Sequence, residues 1–328
     1  MKKLQTKYMG LTLQSPLIVG SSGLTKSVKN IKEYAEAGAG AVVLKSLFEE
    51  EISHEINRQI NNLDSNYDTT TAYDYISNYS RMHHVESYMD LIRACKKEVD
   101  IPIIASVNCV TAGDWMEFAS KMQNAGADAL ELNIFILPND FSKSSADIEK
   151  IYFDILAGVK KNVSIPVSLK LSSYFSSFAN TVQKLSWSGA DAIVLFNRFY
   201  SPDINIYDFT VKPTNTFSTP DEIHNTLRWI AILSGEISCD LAATTGIHSS
   251  EGLIKAMLAG ANAVQIVSAL YKNGAQVITN INNGLHKWMS DNNFESTSDF
   301  IGKMSYKNLK NPAAYDRVQF MKHFAEIE

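Results

Sequence analysis

Apolar residues in this chain fall into short runs of two kinds, which alternate along it. One kind follows a Gly-Ala-x-Ala turn, as in Gly38-Ala-Gly-Ala-Val-Val-Leu-Lys45, Gly126-Ala-Asp-Ala-Leu-Glu-Leu-Asn133, Gly189-Ala-Asp-Ala-Ile-Val-Leu-Phe-Asn197 and Gly260-Ala-Asn-Ala-Val-Gln-Ile-Val-Ser268. Each glycine ends a segment of helical period, where a left-handed cap favours it. The other kind opens on proline in Pro16-Leu-Ile-Val-Gly20, Pro102-Ile-Ile-Ala-Ser-Val-Asn108 and Pro166-Val-Ser-Leu-Lys-Leu171, and without proline in Cys239-Asp-Leu-Ala-Ala-Thr-Thr245. Proline is tolerated at the first residue of a strand, where no ladder donor is lost. Helical periodicity fills the intervals, for instance Trp115 to Ala125, Asp147 to Lys161 and Glu251 to Leu258. Eight such strand-helix alternations predict an α/β fold of the (β/α)8 TIM-barrel type. A doubly wound dinucleotide fold is disfavoured, because Gly20-Ser-Ser-Gly23 lacks the Gly-x-Gly-x-x-Gly spacing.

Length and composition agree with one such barrel. The 328 residues, 45% hydrophobic, can bury a large core, and no linker or low-complexity segment divides them. We expect a single domain over residues 1–328, with a tail from about residue 295 packing outside the barrel through Tyr306, Tyr315 and Phe320. A net charge of -5 and a pI near 5.8 argue against a nucleic-acid or anionic-membrane surface. Cys95, Cys109 and Cys239 show neither disulfide nor zinc spacing, which fits a reducing cytoplasm. No run reaches transmembrane length, and the basic N-terminus precedes too short an apolar stretch for a signal peptide. Small molecules are therefore the expected partners, with no metal.

Three strand-to-helix connections are long, at residues 47 to 86, 135 to 146 and 198 to 219. In a barrel these lie at the C-terminal face, where sites are built. We read the Glu49-Glu-Glu51 run as a solvated turn and residues 273 to 291 as the last helix.

Strand ends supply a polar ring at that face: Ser21 and Ser22, Lys45 and Ser46, Asn108, Asn133, Lys170, Asn197, Thr245 and Gly246, and Ser268. Lys170 and Lys45 are charged residues in apolar runs, and such a lysine is expensive to bury without an anionic or polar partner. Thr244-Thr-Gly-Ile-His248 and Val267-Ser-Ala-Leu270 follow the seventh and eighth strands and lead into helices, where barrels commonly hold a phosphate. A flavin mononucleotide has the matching parts: an anionic tail for these turns, and a ring whose reduced form carries negative charge near N1 for a lysine to stabilise. A phosphorylated sugar would also fit the turns, but explains a lysine on each side of the barrel less readily.

The same residues resemble the FMN-dependent dihydroorotate dehydrogenases, particularly the soluble class, and the FMN domain of dihydropyrimidine dehydrogenase, to about residue 303. The resemblance is carried by Ser21-Ser-Gly23, Leu44-Lys-Ser46, Ile103-Ile-Ala-Ser-Val-Asn-Cys109 with Asp114-Trp115, Ala127-Asp-Ala-Leu-Glu-Leu-Asn133, Ser168-Leu-Lys170, Phe196-Asn197 and Thr244-Thr-Gly-Ile247. It implies FMN bound by Ser21, Ser22, Gly23, Lys45, Ser46, Asn108, Asn133, Lys170, Asn197, Thr245, Gly246, Val267 and Ser268. It also implies a homodimer. Lys45, Lys170 and Asn133 would carry catalysis, the lysines stabilising reduced flavin.

The resemblance breaks at the base. Where the family has Glu-Leu-Asn-Leu-Ser-Cys-Pro-Asn, this chain has Glu131-Leu-Asn-Ile-Phe-Ile-Leu-Pro-Asn139, with Ile136 or Leu137 in place of the cysteine that takes the substrate proton. Neither can accept a proton. The family's Asn-x-x-Gly-Leu-x-Asn loop is replaced by Tyr73 to His84, Asn78 included, one phosphate glycine is Thr245, and Thr216-Phe-Ser-Thr-Pro220 replaces a glycine-rich segment. Substitute bases are Ser142 and Asp140, then Ser144, Ser145, His83, His84 and Cys109, each also readable as a loop or core residue. The expected activity is hydride transfer between flavin N5 and a CH-CH bond of a dihydroorotate- or pyrimidine-type substrate. The alternatives are a flavin reductase acting on another activated double bond, and a non-catalytic flavin- or metabolite-binding barrel.

Overall fold

The computed structural model describes residues 4–61, 69–109, 112–199, 201–312 and 315. The strands are β1 (Thr6–Tyr8), β2 (Leu11–Leu13), β3 (Leu17–Val19), β4 (Ala41–Val43), β5 (Leu47–Phe48), β6 (Ile103–Asn108), β7 (Ala129–Asn133), β8 (Val167–Leu171), β9 (Ala192–Leu195), β10 (Pro202–Asn205), β11 (Thr210–Pro213), β12 (Asp240–Ala243) and β13 (Ala263–Ile266). The helices are α1 (Val28–Glu36), α2 (Glu49–Asn61), α3 (Thr69–Glu98), α4 (Ala112–Asn124), α5 (Ser145–Asn162), α6 (Phe178–Trp187), α7 (Ile223–Leu233), α8 (Ser250–Ala259), α9 (Ser268–Asn273) and α10 (Gln276–Asp291). Strands β4, β3, β13, β12, β9, β8, β7 and β6 pair in parallel in that order, and β4 also pairs with β6, which closes the ring. This is the (β/α)8 barrel that the alternation predicts.

The repeats have a physical explanation. Gly38, Gly126, Gly189 and Gly260 all take positive φ where a helix hands over to a strand. The third residue of each later repeat then reaches back to the strand before it. Asp128 Oδ2 accepts from Ile103 N at 2.7 Å, Asp191 Oδ2 from Val167 N at 2.7 Å, and Asn262 Oδ1 from Leu241 N at 3.0 Å. Lys96 and Lys160, from the ends of α3 and α5, pair with Asp128 and Asp191. The prolines lack a donor but not an acceptor: Pro16, Pro102 and Pro166 take bonds from Val264, Val42 and Leu130 of the adjoining strands.

The barrel interior is packed at its lower end. Ile18, Ala41, Val43, Ile104, Ala129 and Val194 form a cluster there, sealed by Tyr8, Met9 and Leu13 of the β1–β2 hairpin. A larger apolar layer lies between strands and helices, with Ile92, Phe118, Tyr152, Val182, Ile230 and Leu285 excluded from water. Each such side chain contributes roughly 1.5–3 kcal/mol by burial.

The long connections depart from the expected loops. Residues 47–61 and 69–86 are not loop: they form β5, α2 and the first half of α3, while 62–68 lie outside the described residues. The Glu49-Glu-Glu51 run is the first turn of α2, where acidic side chains meet the positive end of the helix dipole, rather than a free turn. The side chains of Tyr73 and Asn78 lie outside the described residues, whereas Val85, Tyr88, Met89, Ile92 and Cys95 bury one stripe of α3. Residues 198–219 include the β10–β11 hairpin. The expected last helix, residues 273 to 291, is α10, and Gly274, with φ 65°, separates it from the short α9. Past α10, Phe300 is fully buried against Trp288 and Phe294, and Tyr306 N donates to Ala231 O at 2.9 Å. Phe320 lies outside the described residues.

Candidate active site at the barrel mouth

The C-terminal ends of the strands surround a cleft of about 320 Å³. Ser21 and Ser22 reach it from beyond β3, Lys45 and Ser46 from beyond β4, and Asn133 and Lys170 from β7 and β8. Asn197 enters beyond β9, Thr245 and Gly246 beyond β12, and Val267 and Ser268 beyond β13. Two expected residues stay out. Gly23 begins a short 3-10 turn capped by Ser22, and Asn108 pairs in register with Phe48 of β5, so that Phe48 lines the cleft in its place.

The floor on one side is a chain of hydroxyls. Ser46 N donates to Ser21 Oγ at 2.9 Å, Ser46 Oγ lies 3.1 Å from Ser21 Oγ and 2.7 Å from Ser106 Oγ, and Asn133 Nδ2 donates to Ser46 Oγ at 3.3 Å. Tyr88 closes the chain from α3 by donating to Ser106 O and accepting from Ser106 N. Asn133 is thereby held with its Oδ1 buried and without a partner. Buried polar atoms are nearly always satisfied, so this oxygen marks a place for a donor. Asn197 staples strand ends instead: its Nδ2 donates to Lys170 O at 3.1 Å and Ile134 O at 3.3 Å.

Both lysines have carboxylate partners within the chain. Lys45 pairs with Glu51 of α2 at the rim. Lys170 Nζ, on a side chain only 11% exposed, lies 3.8 Å from Glu131 Oε1 and donates to Gln265 Oε1 at 3.3 Å. Glu131 and Gln265 are missing from the residues expected at the site, yet each is a polar residue in an apolar strand run, the signal that singles out Lys170.

At the opposite end of the cleft the chain turns sharply, with φ 72° at Thr245 and 78° at Gly246. A side chain at Gly246 would put its Cβ 2.3 Å from Ile223 N, so the α7 backbone packs directly on this turn. Ser218, from the segment before α7, ties the last two turns together. Its N donates to Ser268 Oγ at 3.0 Å, its Oγ lies 3.1 Å from His248 Nε2, and its O accepts from Lys272 at 3.1 Å. Burial first, and Lys272 second, push the His248 pKa below its ordinary value. Arg198 lines the cleft and pairs with Glu222 at 2.8 Å.

The proposed bases fall elsewhere. Ser142 donates from N and Oγ to Asp140 Oδ1, and these bonds hold the Asp140 carboxyl below the usual range; Asp140 faces a separate surface hollow. Ser144 caps α5 and Ser145 is its first residue. His83 is exposed on α3, and His84 lines a neighbouring hollow that shares Lys45, Ser46 and Phe48 with the cleft but not the cleft itself. Burial pushes the Cys109 thiol far up, which makes it a core residue. Among the described residues, no carboxylate, imidazole or thiol lines the cleft. Ile134 is buried, Phe135 lines the cleft and stacks on Phe199 at 3.9 Å, and Leu137 is half exposed.

Comparison with known proteins accords with this geometry. A family model described as dihydroorotate dehydrogenase matches residues 3–289. A Thermoplasma acidophilum protein, dihydroorotate dehydrogenase B (NAD(+)), catalytic subunit, is 29% identical over 312 residues, covering 92% of this chain and 99% of its own. Its namesake in Pyrococcus horikoshii is 25% identical over 305 residues, covering 92% and 97%. A putative dihydroorotate dehydrogenase A (fumarate) from Aeropyrum pernix is 28% identical over 212 residues, covering 63% and 68%.

Proposed function

This chain belongs to the dihydroorotate dehydrogenase family, and on that premise we propose that it is an FMN-dependent oxidoreductase acting on a CH-CH bond of a small cyclic, pyrimidine-type substrate. The observation that carries the reading is the pairing, on adjacent strands, of an almost buried lysine with a buried unpartnered acceptor, Lys170 and Asn133. A flavin ring needs both kinds of group, a cation near N1 and acceptors for its ring N-H. The turns after β12 and β13 line the cleft with Thr245, Gly246, Val267 and Ser268, where backbone N-H groups suit a phosphate. The residues present therefore suit FMN.

In this reading Thr245, Gly246, Val267 and Ser268 hold the phosphate, and the Ser218 bonds brace those turns. Asn133 Oδ1 accepts from the ring, its orientation fixed by Ser46. Lys170 supplies positive charge against the ring, and Lys45 does so from the rim while paired with Glu51. Bound FMN supplies hydride chemistry at N5. Phe135 and Phe199 exclude water over the substrate side.

A second reading has a specific observation in its favour. With no carboxylate, imidazole or thiol of the described residues in the cleft, and Phe135 projecting there, a substrate that needs no strong protein base is accommodated: an activated double bond that flavin reduces. The relatives that are catalytic subunits extend the proposal to the acceptor. A chain resembling catalytic subunits would pass electrons to a partner subunit, and the resemblance also favours a homodimer. Among the described residues no group of three or more His, Cys, Asp or Glu could hold a metal. No helix of the described residues is long and apolar enough to cross a membrane.

The test is anaerobic mixing of FMN-loaded protein with dihydroorotate. Loss of the oxidised-flavin absorbance on a catalytic timescale is expected. Retention of the colour with dihydroorotate, together with reoxidation of chemically reduced protein by an enone, would move the assignment to the second reading.

A further inference from the structure

The polar layer beneath the mouth contains more than a flavin site requires. Glu131 is 1% exposed, and its side chain is enclosed by the barrel. Gln265, equally buried, donates from Nε2 to Glu131 Oε2 at 2.5 Å and accepts at Oε1 from Lys170 at 3.3 Å. Flipping this amide would set its NH2 against the ammonium and its oxygen against the carboxylate, so the two ions fix its orientation. Gly20, at the end of β3, leaves room for it, since a Cβ there would lie 3.4 Å from Gln265 Oε1 and 2.9 Å from Val267 Cγ2.

Glu131 thus has one oxygen on Gln265 and the other, Oε1, without a hydrogen bond, 3.8 Å from Lys170 Nζ. That is an ion pair left loose on the side facing the lysine. Below it, burial first, then Glu131 and Asp240, push the Tyr8 phenol pKa well above its ordinary value. A carboxylate so placed does not anchor Lys170 by a short bond. It offsets the charge that Lys170 presents upward, in surroundings where water screens little.

We propose that Glu131 is a positioning and tuning residue, whose buried carboxylate, bridged through Gln265, sets how much of the Lys170 charge reaches the flavin and so sets the reduction potential of the bound cofactor. The inference rests on the FMN reading. Two-electron reduction with one proton leaves the flavin negatively charged, which Lys170 favours and Glu131 opposes. Removing the Glu131 charge while keeping an amide in its place therefore tightens binding of the reduced over the oxidised form.

The experiment titrates wild type, Glu131→Gln and Glu131→Asp apoproteins with FMN, then measures each flavin's midpoint potential against a redox dye. Glu131→Gln should favour the reduced form by about tenfold, a rise near 30 mV for a two-electron couple. Glu131→Asp, which retracts the carboxylate by one methylene, should rise less, and it serves as the readout if the amide variant does not fold. An unchanged or lowered potential in the folded, flavin-bound variants would assign Glu131 a purely structural part and overturn the proposal. Wild type that takes up no FMN would overturn the flavin reading and this inference together.

Discussion

Lys170 is held from behind by Glu131 and from the side by Gln265, so its replacement disturbs two things at once. Lys170→Met removes the cation facing the cleft and strands a buried carboxylate. Breaking a buried pair from one side costs about 3–5 kcal/mol, and denaturant unfolding should show a loss of that size. Lys170→Met with Glu131→Gln leaves no unpaired charge and should recover most of the stability without recovering FMN affinity. Recovery of both would show that Lys170 acts only through folding. Lys170 was legible in the sequence because a cation interrupts an apolar run. Glu131, in Ala129-Leu-Glu-Leu-Asn133, and Gln265, in Ala263-Val-Gln-Ile266, carry the same signal. Only the register of β7 and β8 and the closure of the barrel show that they meet Lys170 rather than solvent.

Short elements rather than long ones hold the two ends of the cleft. The β12–α8 turn depends on Gly246, whose φ of 78° and contact with Ile223 leave no space for a side chain. Gly246→Ala should lower stability by at least about 1 kcal/mol and abolish measurable FMN binding; binding at wild-type strength would place the phosphate elsewhere. His248, bonded to Ser218, sets a pH dependence on the same turns. Its folded-state pKa is depressed below the ordinary 6.5 by burial and by Lys272. The unfolded chain therefore takes up the proton first as pH falls. The His248 contribution to stability is full above pH 6.5 and is lost as pH drops through the depressed folded value. Thermal melts from pH 8 to pH 5, run on wild type and His248→Gln, should diverge on the acid side, with the wild type losing more. Parallel curves would contradict the assignment. The Thr-Gly-Ile turn was visible as a motif; its brace through Ser218 was not, because the bond spans residues 218 and 248 and depends on how the segment before α7 folds back.

Across the whole molecule, the barrel was readable because its repeats are chemical as well as statistical. Asp128, Asp191 and Asn262 each cap the strand before their own, so the Gly-Ala-x-Ala pattern records a contact repeated around the ring. The α2–α3 region was not readable in the same way. Its Asn, Asp, Thr and Tyr content resembles loop composition and hides the helical period that α3 shows in its buried Val85, Tyr88, Met89, Ile92 and Cys95. That region replaces a loop of the resembled family and sets Glu51 beside Lys45, so the rim on this side differs in shape and charge from the sequence expectation. On the proposed function, the mouth between Lys170 and the Gly246 turn is a flavin site. A crystal structure of the protein grown with FMN tests this most directly. The flavin ring is expected against Lys170 with its phosphate on the Thr245–Gly246 and Val267–Ser268 turns; FMN density at another surface, or a mouth filled by other matter while FMN is bound elsewhere, would contradict the proposed function.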